Sequence, residues 1–217
     1  MKKPLKIVFF GDSITDARRN RELDDPLKHT LYGSGFVFLV ASQLFSEDPR
    51  GYEILNRGIA GNRLPQMYAR IQLDVWNEMP DVLNILIGVN DIPHDNNPNP
   101  TDLERWTRMY CTLIEETKER CPDIKIIICE PFTLLGSATS SIWEQRNFFV
   151  RQYAARAKEI AEKYGLPFVS LQDKFDEKAT VYGTEPYLFD GIHPNIAGAK
   201  LIAEEWLKTF RRVVNQE

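Results

Sequence analysis

A serine hydroxyl becomes a useful nucleophile only beside a base, and this chain of 217 residues offers three histidines to serve as one: His29, His94 and His193. His193 stands apart, because Asp190 precedes it by three residues and Pro194 follows it. On a helical turn that spacing puts both side chains on one side. Asp190 can then accept from the Nδ1–H of His193, fix the tautomer of the ring and leave Nε2 to take a serine proton. The candidate serine is Ser13, in Gly11-Asp12-Ser13-Ile14-Thr15. Acyl transfer also needs donors aimed at the oxyanion. The Ser13 N–H, the Gly61 N–H and the side-chain amide of Asn90 are candidates. Asp12 and Asn62 adjoin these groups and are expected to touch the substrate. His29 and His94 lie in polar stretches and are expected to be solvated or locally hydrogen bonded. Each motif alone has a plainer reading. Gly-Asp-Ser can be a strand exit, Gly88-Val89-Asn90-Asp91 a turn or helix cap, and Asp-x-x-His a helix start with a capping aspartate.

The elements that would carry these residues are legible. Five short apolar runs, 5–10, 52–55, 82–87, 124–129 and 167–171, do not alternate with polar residues and suit strands buried on both faces. Helical stripes lie between and after them: Phe36, Val40 and Leu44; Leu64, Met67, Ile71 and Val75; Trp106, Tyr110, Leu113 and Ile114; Tyr153, Ala157 and Ile160; Ile202, Trp206 and Phe210. Pro65 fits a helix start, Thr101 and Glu104 have the spacing of a capping box, and Gly165 is a stop signal. Alternating strands and helices predict an α/β sandwich with a parallel sheet and helices on both faces. In such a sheet ligands bind outside the carboxyl ends of the strands. Gly11–Asp16, Asn56–Asn62, Gly88–Asp91 and Glu130–Phe132 follow the first four runs, and Asp190–Pro194 follows the fifth after a longer passage. All are expected on one rim.

Composition narrows the function classes. The length suits one hydrophobic core, hence a single domain over 1–217. A net charge of -4, with Arg18, Arg19 and Arg21 offset at once by Glu22, Asp24 and Asp25, argues against a nucleic-acid partner. The run after Met1-Lys2-Lys3 is too short for a signal peptide, and no stretch approaches the roughly 20 apolar residues of a membrane span. Cys111, Cys121 and Cys129 are odd in number and lack CxxC spacing, so reduced thiols and a cytoplasmic protein are expected.

Taken together, the motifs from Gly11 to Asn195 resemble those of the SGNH hydrolases, the GDSL lipase and esterase family. The resemblance implies a flavodoxin-like three-layer α/β/α sandwich of five parallel strands. It implies Ser13, Asp190 and His193 as the triad, Gly61 and Asn90 beside Ser13 as oxyanion donors, and neither cofactor nor metal. Within the family the chain is most similar to small intracellular carbohydrate acetylesterases, including acetylxylan esterase types, through Tyr32–Val37 and Glu130-Pro131-Phe132. Pro93 stands where those enzymes often carry a tryptophan. The implied partner is a small-molecule or oligosaccharide ester, and some family relatives are homo-oligomers. The charged loop Asp16–Tyr32 fits a polar alcohol portion better than the apolar lid of a lipase would. The more apolar segment Thr133–Trp143 is expected to line an acyl pocket, which keeps lysophospholipase or thioesterase activity open. A metal-dependent phosphoesterase using Asp12, Asp16, Asp190 and His193, or a carbohydrate-binding protein without catalysis, is the remaining alternative.

Overall fold

In the computed structural model, residues 3–22, 28–94 and 97–215 are described. Five strands form one parallel sheet: β1 (Leu5–Gly11), β2 (Tyr52–Gly58), β3 (Val82–Leu86), β4 (Lys125–Cys129) and β5 (Phe168–Val169). Their order across the sheet is β2-β1-β3-β4-β5. The chain crosses to one side of β1 to make β2 and returns to the other side to make β3. That reversal opens a crevice between the carboxyl ends of β1 and β3.

The helices are α1 (Ser13–Asp16), α2 (Phe36–Glu47), α3 (Leu64–Asp74), α4 (Leu103–Arg120), α5 (Trp143–Tyr164), α6 (Gln172–Tyr182) and α7 (Ile196–Val214). They form two layers because side chains alternate along each strand. Ile7 and Phe9 of β1 join one core with Phe36 and Val40 of α2 and with Ile202, Trp206 and Phe210 of α7. Val8 and Phe10 join the opposite core with Met67 and Ile71 of α3, Trp106 and Tyr110 of α4, and Val150 and Tyr153 of α5. A strand buried on both faces must be apolar throughout, which explains the unbroken runs. Asn84 of β3 is polar yet fully buried: its Oδ1 accepts from Trp206 Nε1 at 2.9 Å and lies 3.0 Å from the Cys129 Sγ. Cys111, Cys121 and Cys129 form no disulfide. Among the described residues no helix is long and apolar enough to cross a membrane.

Three expectations need correction. The run 167–171 yields only two residues of strand, because the Leu171 N–H leaves the ladder for the Glu130 carboxylate at 2.6 Å. Asp102, not Thr101, caps α4, accepting from the Arg105 N–H at 2.9 Å. Thr101 is buried instead, with its side chain hydrogen bonded to Asp91. Finally, α6 carries no apolar stripe, since Gln172 and Phe175 are its buried residues, and the sequence pattern did not predict it.

Candidate active site

At the end of β1 the chain turns straight into α1, a helix of four residues. The Asp12 carboxylate makes that turn possible by accepting from the Ile14 N–H at 3.0 Å, as an N-cap does. Ser13 is thereby the first helical residue at the sheet's carboxyl edge. The helix stops at once, because Ala17 and Arg18 take left-handed backbone angles, φ 43° and 61°. Such angles are uncommon for residues other than glycine and concentrate at functional sites.

From the far end of the chain, the 190–193 turn brings His193 to the same edge. Its Nε2 lies 2.9 Å from the Ser13 Oγ, and its Nδ1 lies 2.7 Å from Asp190 Oδ2. The spacing of three works, but not through a helical turn. Asp190 Oδ1 accepts from the Ile192 and His193 N–H groups, at 2.9 and 2.8 Å, closing a side-chain-to-backbone turn. Gly191 is required there, since its φ is 93° and an added Cβ would lie 2.5 Å from the Leu134 carbonyl oxygen. Partial burial pushes the Asp190 carboxyl up. The hydrogen bonds from His193 and Ile192 outweigh it and hold the group below the usual carboxylate range. Asp190 therefore remains an anion at neutral pH, oriented to keep the proton of the ring on Nδ1.

The remaining motifs close the crevice. Asn90, after β3, donates from Nδ2 to the Asn62 carbonyl at 3.1 Å and stands 3.4 Å from Asp12 Oδ2. Its neighbour Asp91 is buried and accepts from the Leu64 N–H at 3.0 Å, tying the start of α3 to the end of β3. Gly61 is exposed at φ 76°, and an added Cβ would meet nothing within 4 Å, so conformation rather than crowding favours glycine there.

This arrangement has known relatives. Residues 9–201 match the model of the GDSL-like lipase/acylhydrolase family. The chain belongs to that family. An acetylxylan esterase from Geobacillus stearothermophilus is 30% identical over 210 residues, 94% of this chain and 92% of the relative. A putative GDSL-like lipase from Parabacteroides merdae superposes with a TM-score of 0.90 at 33% identity, covering 96% of both chains. The structure of the Geobacillus esterase gives 0.82 at 30% identity, again over 96% of each. The five-stranded sheet and its helices are the SGNH hydrolase fold, and the protein is a carboxylic ester hydrolase.

Within this acylhydrolase, a cavity of about 600 Å³ opens at Ser13, Asp190 and His193. Arg18, Ser34 and Asn195 give its wall polar groups, and Phe189 and Ile196 give it apolar ones. The Phe189 ring stacks on His193, with centroids 5.7 Å apart and planes 20° apart. Asp12, expected against the substrate, has no exposed surface. Its oxygens face the Ile14 N–H and Asn90, and burial pushes its carboxyl up to about 7. It supports the site from behind. Asn62 likewise has its amide oxygen on Arg70 Nε at 2.8 Å. The segment Thr133–Trp143 does not line the cavity. It folds onto the 190–193 turn: the Leu134 N–H donates to the Gly191 carbonyl and the Ala138 N–H to the Asp190 carbonyl, each at 2.9 Å. His29 sits in a short helical turn with its ring 6.4 Å from that of Phe38. Neither His29 nor His94 belongs to the cavity wall. Among the described residues, no group of three or more histidines, cysteines and carboxylates is gathered as a metal ion would require.

Two supports have parts that the motifs do not announce. Asp16 is buried and holds both the Ala60 N–H (3.3 Å) and Arg21 (2.7 Å), linking α1 to the second motif. Arg70 of α3 donates to the Gly11 carbonyl at 3.0 Å and the Arg57 carbonyl at 2.8 Å, clamping the ends of β1 and β2. Close packing adds a test. A Cβ on Gly136 would lie 2.4 Å from the Gly191 N, with no flexible side chain to yield. Gly136→Ala is expected to destabilise the fold by about 1–3 kcal/mol and to lower turnover by displacing His193. Thermal unfolding and turnover measured together check this, and wild-type values for both would show that the two loops are not interlocked.

Proposed function

We propose that this acylhydrolase removes short acyl groups, acetyl first among them, from a carbohydrate ester through a covalent acyl-enzyme on Ser13. The observation that carries the reading is the unbroken chain of contacts from Ser13 Oγ to His193 Nε2 and from Nδ1 to Asp190, at 2.9 and 2.7 Å. Ser13 attacks the ester carbonyl while His193 Nε2 takes its proton. The tetrahedral oxyanion is received by the N–H groups of Ser13 and Gly61 and by the Asn90 amide. The imidazolium then protonates the leaving alcohol. Water, deprotonated by His193, releases the acyl group by the same route. Asp190 keeps its charge throughout.

Two features support a short acyl group on a polar alcohol. The apolar segment after β4 is folded against the 190–193 turn and so is not available as a long acyl channel. The cavity wall carries Arg18, Ser34 and Asn195 beside Ser13. The similarity to an acetylxylan esterase points the same way. The three unbridged cysteines fit a reducing, cytoplasmic setting. The test is a panel of p-nitrophenyl esters of increasing chain length together with acetylated xylooligosaccharides. The expected result is highest kcat/KM on acetyl esters and release of acetate from the sugar. A preference for long chains would favour a lysophospholipase or thioesterase, with the exposed Phe189 and Ile196 at the mouth as its apolar contacts. Sugar binding without turnover would favour a silent binding protein.

Asn90→Ala is expected to lower kcat by about 10²-fold or more with little change in KM, because an oxyanion donor acts mainly in the transition state. Steady-state kinetics on p-nitrophenyl acetate check it. A raised KM with unchanged kcat would remove Asn90 from that role.

A further inference from the structure

Arg146, on the first turn of α5, is 4% exposed and belongs neither to the cavity wall nor to any of the motifs. A buried cation is costly unless it is paired and hydrogen bonded. Here the hydrogen bonds are modest. Nε donates to Thr133 Oγ1 and Nη2 to the Val89 carbonyl, both at 3.3 Å. Both acceptors matter to the site. Val89 immediately precedes Asn90, and the Thr133 hydroxyl itself donates to the Gly191 carbonyl at 3.1 Å. One guanidinium is thus joined to the oxyanion turn and, through one hydroxyl, to the acid–base turn. Burial lowers the guanidinium to about 10, while the charges of Asp190 and then Asp12 oppose that change. Neither carboxylate is hydrogen bonded to it. Asp190 is engaged within its own turn, and Asp12 by Ile14 and Asn90. The cation therefore acts on them through space, where low polarity strengthens its field.

We propose that Arg146 is a positioning residue of the esterase reaction, holding the 88–91 turn against the 190–193 turn through the Val89 carbonyl and the Thr133 hydroxyl. The proposal rests on the Ser13–His193 reading above.

The experiment compares the wild type with Arg146→Met, which removes the charge and every donor, Arg146→Gln, which keeps an N–H donor without the charge, and Arg146→Lys, which keeps a charge and donors on a single nitrogen. Each is assayed on p-nitrophenyl acetate, with Ser13→Ala as a control, and its fold is followed by thermal unfolding. For Arg146→Met, kcat is expected to fall about tenfold with KM within about twofold of the wild type. Arg146→Lys, whose one nitrogen cannot reach both acceptors as the guanidinium does, is expected to recover only part of kcat. Arg146→Gln decides the matter if Arg146→Met fails to fold, and is expected to lose kcat with KM unchanged. Wild-type kcat in a folded Arg146→Met or Arg146→Gln, or a loss carried by KM, would overturn the positioning role. Activity that persists in Ser13→Ala would instead overturn the esterase reading.

Discussion

Ser13→Ala is expected to lower kcat on p-nitrophenyl acetate by about 10⁴- to 10⁶-fold, the range for loss of a triad nucleophile, without loss of the fold. The first part follows from chemistry: no other hydroxyl lies at hydrogen-bond distance from His193 Nε2 among the described residues. The second follows from what the side chain does structurally. Ser13 starts α1, but the cap of that helix is Asp12, whose bond to the Ile14 N–H does not involve the Ser13 hydroxyl. Alanine is a good helix residue and leaves the cap in place. Thermal unfolding should therefore be nearly unchanged while turnover disappears. The variant should still bind an acetylated oligosaccharide, because the cavity loses a single oxygen. Turnover within tenfold of wild type would mean that another group attacks the ester.

Asp190→Asn is expected to lower kcat by about 10⁴-fold with the turn intact. The asparagine oxygen can still accept from the Ile192 and His193 N–H groups, the bonds that Asp190 Oδ1 now receives. Its NH₂ must then face His193 Nδ1, where a carboxylate oxygen now stands at 2.7 Å. A donor in that place forces Nδ1 to accept and puts the ring proton on Nε2. The ring then presents a donor to Ser13 and cannot remove its proton. The imidazolium that forms during attack also loses its neighbouring anion. The loss should fall in kcat rather than KM, since Asp190 acts through His193. Steady-state kinetics and calorimetry distinguish this from misfolding. A fall of tenfold or less would show that His193 holds its tautomer without Asp190.

The contribution of Asp190 to the pH response has a definite sign. Asp190 is held below the usual carboxylate range in the folded state, so its hydrogen bonds stabilise the fold above the unfolded pKa and are lost as pH falls through the lowered one.

Much of this architecture can be read from residue order, for identifiable reasons. The strands announce themselves because burial on both faces demands uninterrupted Ile, Val and Phe, as in Leu5–Gly11 and Lys125–Cys129. Ser13 and His193 are 180 positions apart, yet both motifs sit where a parallel sheet must gather its chain ends. Asp12 adjoins Ser13, but proximity in sequence says nothing about direction, and its capping carboxylate points back into the fold. The amide oxygen of Asn62 serves Arg70, a contact its place in the motif does not announce. Arg70 and Arg146 were missed because they lie on helices between motifs, where nothing in the pattern separates a buried arginine from a solvated one. The segment Thr133–Trp143 was read as a pocket wall from its apolar content. Its task is to hold a neighbouring turn through backbone hydrogen bonds, which residue types do not reveal.

The 190–193 turn has a consequence for how activity is born. Asp190 and His193 are three residues apart and are joined by contacts that need almost no chain search, so this half of the site is cheap in entropy to close. Ser13 must wait until distant ends of the polypeptide meet. Recovery of hydrolysis after dilution from denaturant should accordingly report the arrival of the last segment before α7, lagging behind signals from β1 to β4.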